Sequence, residues 1–238
     1  MSSRRAQSRS AVLPTDFRGA LNTHLVIPTT TQNALRAFVS ASSAVLNGYG
    51  NKGDEIGGHF VAERAGSTVV LKGVASLALS MGHTSKGSVV TGVNVGDYPY
   101  TFHTHPKLFT LDAETVENYP DTLSAVDLVA AVNEAAWSNG HSVCDVLASP
   151  SGIQVYRARK PPETKRFLAW KTLEETFTSA LNLRAHKWNQ TSCFNPHASS
   201  TYIETLSRNG VDVVMRPWTE HLTPLVIDVE NWVEVCGV

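Results

Sequence analysis

Two histidines separated by one residue, His103 and His105, stand in the stretch YPYTFHTHPK over residues 98–107. The run before them reads as a strand, where residues i and i+2 share a face, so both imidazoles should project together. Pro106 has no N–H to continue a ladder and places the pair at the strand's end, where a site can open. Two such nitrogens are half of a metal site, and the pattern equally fits two polar residues at an exposed strand terminus. A catalytic zinc takes three protein ligands and leaves a fourth position open. The segment LSAVDLV offers the third ligand. Ser124 can cap a helix there, and Asp127 lies in its first turn, where negative charge is favoured. The same Ser-x-x-Asp is also an ordinary capping box. A hydrolytic metal site needs a base as well, and Glu55 in GDEIGGHF is the candidate, with Gly57 and Gly58 permitting close backbone approach. Read alone, Glu55 is a solvated charge at a strand edge.

The elements that must position these residues follow from periodicity. Leu35, Phe38, Val39, Val45 and Leu46 recur at helical spacing and predict a helix over 31–46, ended by the glycines of NGYGNKG. Four strand-like segments come next: EIGGHFVAE, STVVLKGVAS, GSVVTGVNV and PYTFHTH. An irregular stretch over 107–123 leads to a helix over 124–137. VCDVLAS and IQVYRA then form a hairpin around SPSG. After KPPE, apolar positions at helical spacing fill 164–188. Thr201-x-x-Glu204 opens a further helix that stops at Asn209-Gly210. VDVVM and PLVIDVENWVEV read as late strands, and HLVIP as a short strand or an extended lead-in. The division is a flexible lead-in over 1–20, a core over 21–160, and an extension over 161–238 packed on that core.

Composition narrows the function classes. The 238 residues carry a formal net charge of −1, with 42% hydrophobic and 17% charged residues, so no global field favours nucleic acid or a membrane surface. The three cysteines, Cys144, Cys193 and Cys236, share no metal-knuckle spacing and read as free thiols of a reducing compartment. No apolar run approaches the roughly 18 residues of a spanning helix. MSSRRAQSRS lacks the apolar middle of a signal peptide, so an intracellular, cytoplasmic location is expected. GSVVTGVNVGD lacks the strand–GxGxxG–helix setting of a nucleotide site. No GxSxG is present, and no cysteine has an identifiable partner for nucleophilic catalysis.

Taken together, Glu55, then His103-Thr104-His105-Pro106, then Ser124-Ala125-Val126-Asp127 resembles the signature of the JAMM (MPN+, JAB-domain) zinc metalloproteases. The order of elements is similar to that family too, over about residues 30–158. The resemblance implies an α/β (α+β) fold, an MPN or cytidine-deaminase-like mixed sheet flanked by helices. It implies one Zn2+ per chain with a bound water, held by His103, His105 and Asp127. Glu55 would activate the water, and Ser124 would support the water or the tetrahedral intermediate. The implied activity is peptidase cleavage of an amide or isopeptide bond, with a ubiquitin or ubiquitin-like conjugate as substrate.

The gap between HxHP and SxxD is longer here than is usual in the family. Asp112 and Asp121, inside that gap, are therefore alternative third ligands; Asp127 is preferred because a helix start holds a ligand more rigidly than a long loop. Asp112, Glu114, Glu117 and Asp121 face a single Lys107 in the insertion. They form either an acidic flap that receives a basic peptide or an ordinary solvated loop. Two rivals stand beside the isopeptidase: a non-catalytic MPN-type scaffold, and a JAB-type peptidase or amidase acting on another substrate.

Overall fold

The computed structural model describes residues 24–44, 55–79, 82–84, 87–89, 100–105, 121–137, 144–159, 172–173, 175–177, 179–180 and 193–235. The chain is of mixed α/β class, mostly sheet with few helices. Its strands are β1 (His24–Ile27), β2 (Ile56–Ala65), β3 (Thr68–Leu79), β4 (Gly82–Thr84), β5 (Gly87–Val89), β6 (Tyr100–Thr104), β7 (Cys144–Ala148), β8 (Gly152–Ala158), β9 (Val211–Pro217), β10 (Leu225–Asp228) and β11 (Val233–Glu234). Among the described residues the helices with defined bounds are α1 (Thr29–Ala44), α2 (Ala125–Trp137) and α3 (Pro196–Arg208), and further helical positions lie between 172 and 180.

Nine strands form one sheet in the order β11-β10-β1-β3-β2-β6-β7-β8-β9, while β4 and β5 pair separately. Pairing is antiparallel except for β1 with β3 and β6 with β7. Parallel neighbours cannot be joined by a tight turn, and the β6–β7 crossover carries α2 across the sheet. The C-terminal segment, expected as an extension packed on the core, supplies strands to both ends of this sheet: β9 pairs with β8, and β10 pairs with β1. The two ends approach one another. Arg216 on β9 is ion-paired with Glu234 on β11, Arg157 on β8 donates to the Val229 carbonyl at 2.7 Å, and the Trp232 indole donates to the Val155 carbonyl at 3.3 Å.

Side chains alternate across the sheet, so each face has its own core. Phe102, Val146, Ala148, Val155 and Val214 point to the face that buries Leu35 and Val39 of α1. Leu147, Tyr156 and Val213 point to the other, against Leu128 and Val129 of α2 and Tyr202 and Leu206 of α3. Strand β7 is buried throughout, as a central strand covered on both faces must be.

Two expectations shift on the structure. α3 begins at Pro196, five residues before the Thr201-x-x-Glu204 pattern. Thr201 is interior to it and Glu204 pairs with Arg208 one turn on. The working start signal is Asn195-Pro196, a capping residue followed by proline at the first helical position. PLVIDVENWVEV is two short strands rather than one. The Asp228 carboxylate accepts the Asn231 N–H at 2.9 Å, and Trp232 adopts φ 54°, so turn chemistry interrupts the run. The predicted helix over 164–188 falls mostly outside the described residues; its described positions are helical, and Phe177 is buried with the α2 and α3 side chains. Among the described residues no helix is long and apolar enough to cross a membrane. Cys144 and Cys193 are buried free thiols, and Cys236 lies outside the described residues.

Candidate metal centre

The ladder fixes where each side chain of the candidate site points. His103 lies opposite Gly57 on β2 and Leu147 on β7, so it projects from the face that carries α2. Gly57 contributes no side chain there, which leaves Glu55, two residues earlier on the same face, room beside the imidazoles. The first residue of β2 is held by a hydrogen bond from the Ile56 N–H to the Thr104 hydroxyl at 2.9 Å. Glu55 is thereby tethered next to the end of β6. His105 sits one residue past β6, and its N–H still donates to the Ala148 carbonyl at 2.9 Å, so the ladder runs on far enough to orient it.

The start of α2 supplies the acid. The Ser124 N–H donates to Asp127 Oδ2 at 2.7 Å, and the Asp127 N–H donates to Ser124 Oγ at 3.2 Å, a reciprocal capping box. The carboxylate locked in this way also faces the histidines. His103 Nε2 is 3.4 Å from Asp127 Oδ1, His105 Nε2 is 3.5 Å from Asp127 Oδ2, and His105 Nε2 is 3.7 Å from Glu55 Oε1. The imidazole centroids are 5.1 Å apart. Glu55, Asp127 and the two histidines retain only 11–19% of their side-chain exposure, so the group is largely withdrawn from solvent.

The donor set fits a divalent cation. One donor atom from each of His103, His105 and Asp127 lies within 4.8 Å of the others. Arms of about 2.0 Å set at tetrahedral angles put neighbouring ligand atoms about 3.3 Å apart, near the separation of His103 from Asp127 Oδ1 and of His105 from Asp127 Oδ2. Charge-assisted hydrogen bonds would instead close to about 2.7–2.9 Å. His103 Nε2 is buried and has no hydrogen-bond partner, as expected of a nitrogen shaped for a metal. Two imidazoles and one carboxylate suit zinc and other first-row divalent ions.

The electrostatics point the same way. Burial alone would lower the pKa of His103, but the Asp127 carboxylate, with Glu55 and Asp145 adding to it, lifts it to about 9. Burial would raise Asp127, and His103 and His105 outweigh it and hold the carboxyl well below its usual range. The two shifts together describe a closely paired acid and imidazole, with Glu55 and Asp145 adding further negative charge beside His103.

The structure thus brings Glu55, His103, His105, Ser124 and Asp127 together. Asp121 lies elsewhere: it is 1% exposed, and its carboxylate is occupied by Ser149 Oγ at 2.9 Å, the Ser151 N–H at 3.1 Å and Ser151 Oγ at 2.5 Å. A buried acid bound in this way does not line a flap or reach the histidines, which corrects its expected role as a substrate-binding residue or third ligand. Asp112, Glu114 and Glu117 lie outside the described residues. Two residues that spacing does not mark are Thr101 and Asp145, hydrogen-bonded to each other on the same face just below His103. The available signal was an acid inside the otherwise apolar VCDVLAS.

Comparison with protein-family models and with curated proteins gave no match for this chain.

Proposed function

We propose that the chain is a zinc-dependent peptidase of JAMM type, built on an MPN-like sheet, that hydrolyses an amide or isopeptide bond. The observation that carries this reading is the position of Glu55: a second carboxylate beside a His–His–Asp donor set, 3.7 Å from one of its nitrogens. His103, His105 and Asp127 would hold the ion. When bound, zinc supplies a Lewis acid that polarises a carbonyl and makes water acidic near neutral pH.

The chain's own residues divide the remaining work. Glu55 accepts a proton from the attacking water as it adds to the carbonyl carbon. The same carboxyl group then returns that proton to the nitrogen of the leaving amine as the C–N bond breaks. Ser124 accepts the Asp127 N–H through its oxygen and is exposed, so its own O–H stays free to donate to an oxyanion. The capping box keeps the Asp127 carboxylate from turning away between turnovers.

A ubiquitin or ubiquitin-like conjugate is the proposed substrate, supported by the motif resemblance and not by the donor set itself. The test is a cleavage panel of di-ubiquitins and simple peptides, run with the wild type and with Glu55→Gln. Cleavage by the wild type alone supports the proposal. A chain that binds zinc and cleaves nothing would instead favour the non-catalytic scaffold, and cleavage of peptides only would favour a peptidase with another substrate.

A further inference from the structure

The two halves of the metal centre are far apart in sequence, and a single turn ties them together. His105 N–H donates to the carbonyl of Ala148, at the end of β7. The next residue, Ser149, donates its hydroxyl to the Asp121 carboxylate at 2.9 Å, and Ser151 adds its N–H and hydroxyl. Asp121 lies three residues before Ser124, where the chain returns from the long insertion. In a chain with a short gap, the covalent link itself would fix the helix start close to the histidines. Here the long gap leaves that start less constrained by connectivity, and the ordering must come from contacts.

The C-terminal segment supplies the rest of those contacts. The Leu123 N–H, one residue before the cap, donates to the Tyr202 hydroxyl at 2.9 Å, and that hydroxyl donates to Gln154 Oε1 at 3.1 Å. The Gln154 amide in turn donates to the Asp121 carbonyl, which also accepts the Cys193 thiol at 2.9 Å. Asp121, Gln154, Cys193 and Tyr202 are all buried. A buried network in which each member holds the next rigidifies what it touches. What it touches is the peptide leading directly into Ser124 and Asp127.

We infer that Asp121 and Tyr202 are positioning residues of the metal centre, holding Asp127 in register with His103 and His105, an assignment that rests on the metal-site reading. Residues after 190 are on this account part of the site's scaffold. Outer partners that orient a ligand are worth roughly 10–100-fold in metal affinity, so loss of either residue weakens metal binding while the fold persists.

The experiment titrates the full-length apoprotein with Zn2+ against a chromophoric chelator, at a temperature well below the unfolding transition of every variant. Tyr202→Phe and Asp121→Asn are compared with wild type and with Leu225→Ala, a core change on β10 at the other end of the sheet. The expected result is a fall of about 10–100-fold in zinc affinity for the first two and wild-type affinity for Leu225→Ala, although it too melts earlier. Should Asp121→Asn fail to fold, Ser151→Ala removes only part of the same clasp and is expected to show a smaller loss in the same direction. Wild-type affinity in Tyr202→Phe, or an equal loss in Leu225→Ala, overturns the inference while leaving the metal site standing. A wild-type chain that takes up no zinc overturns both, and that arm is read first.

Discussion

Ser124 and Asp127 cap one another at the start of α2, and the carboxylate engaged in that cap is the one that faces His103 at 3.4 Å. Capping and metal binding are usually rival explanations of Ser-x-x-Asp. In this chain one side chain serves both, because Oδ2 accepts the Ser124 N–H while Oδ1 is turned toward His103. Helix formation thus preorganises the ligand.

This dual use separates two substitutions at the same box. Asp127→Asn keeps an oxygen that can accept the Ser124 N–H but removes the charge, so zinc affinity should fall by more than the roughly 100-fold expected for an outer partner. Ser124→Ala keeps the Ser124 N–H on Oδ2 and loses only the hydroxyl, so it should weaken zinc by no more than about tenfold while costing about 0.5–2 kcal/mol of stability from the missing cap. Equilibrium dialysis and thermal unfolding distinguish them. Equal zinc retention in both variants would place the ligand elsewhere.

Glu55→Gln tests the base. The amide is isosteric and cannot take up a proton, so turnover should drop by about 10²–10⁴-fold with zinc content unchanged. Loss of zinc along with activity would instead make Glu55 a ligand.

The pH dependence has a definite sign. His103 rises from 6.5 to about 9 in the folded, metal-free chain, so its contribution to stability is full below about pH 6.5 and is lost as pH climbs through 9. Asp127 is depressed from 3.8, so its contribution is present above about pH 4 and is lost as pH falls through its lower folded value. The apoprotein should therefore melt highest between about pH 4 and 6.5. Zinc must displace the His103 proton, so its affinity should weaken by up to about tenfold for each pH unit below 9. Unfolding and zinc titrations across pH 5–9, on the apoprotein, read both trends; a zinc affinity independent of pH would contradict the proton–metal competition.

Gly152 opens β8 at the turn that joins the two halves of the site. A Cβ there would collide with the Arg216 carbonyl and sit 2.5 Å from the Phe194 ring. Gly152→Ala should cost about 1–3 kcal/mol, a fall of roughly 2–12 °C in Tm by calorimetry. An unchanged Tm would mean that the contact relaxes freely.

The parts of this site that depend on local pattern were legible in the sequence. His103 and His105 share a face because a strand repeats every two residues, and Asp127 falls at a helix start because Ser124 precedes an apolar run. What the sequence could not reveal is non-local. Nothing in VDVVM says that β9 pairs with β8, or in PLVID that β10 pairs with β1 at the other end of the sheet. Asp121 reads as one more acid in a charged stretch until the fold places Ser149 and Ser151 around it. Tyr202 lies 79 residues from the Leu123 N–H it accepts, a pairing no spacing rule reaches. Where the capping pattern misled, at Thr201, a stronger start signal stood five residues upstream.

The most direct measurement is the zinc content of the purified protein, alongside His103→Ala prepared identically. Convergence of two imidazoles and one carboxylate predicts one zinc per wild-type chain and little or none in the variant. A wild-type protein that remains metal-free after incubation with excess zinc, or a His103→Ala protein that holds as much zinc as wild type, would contradict the account.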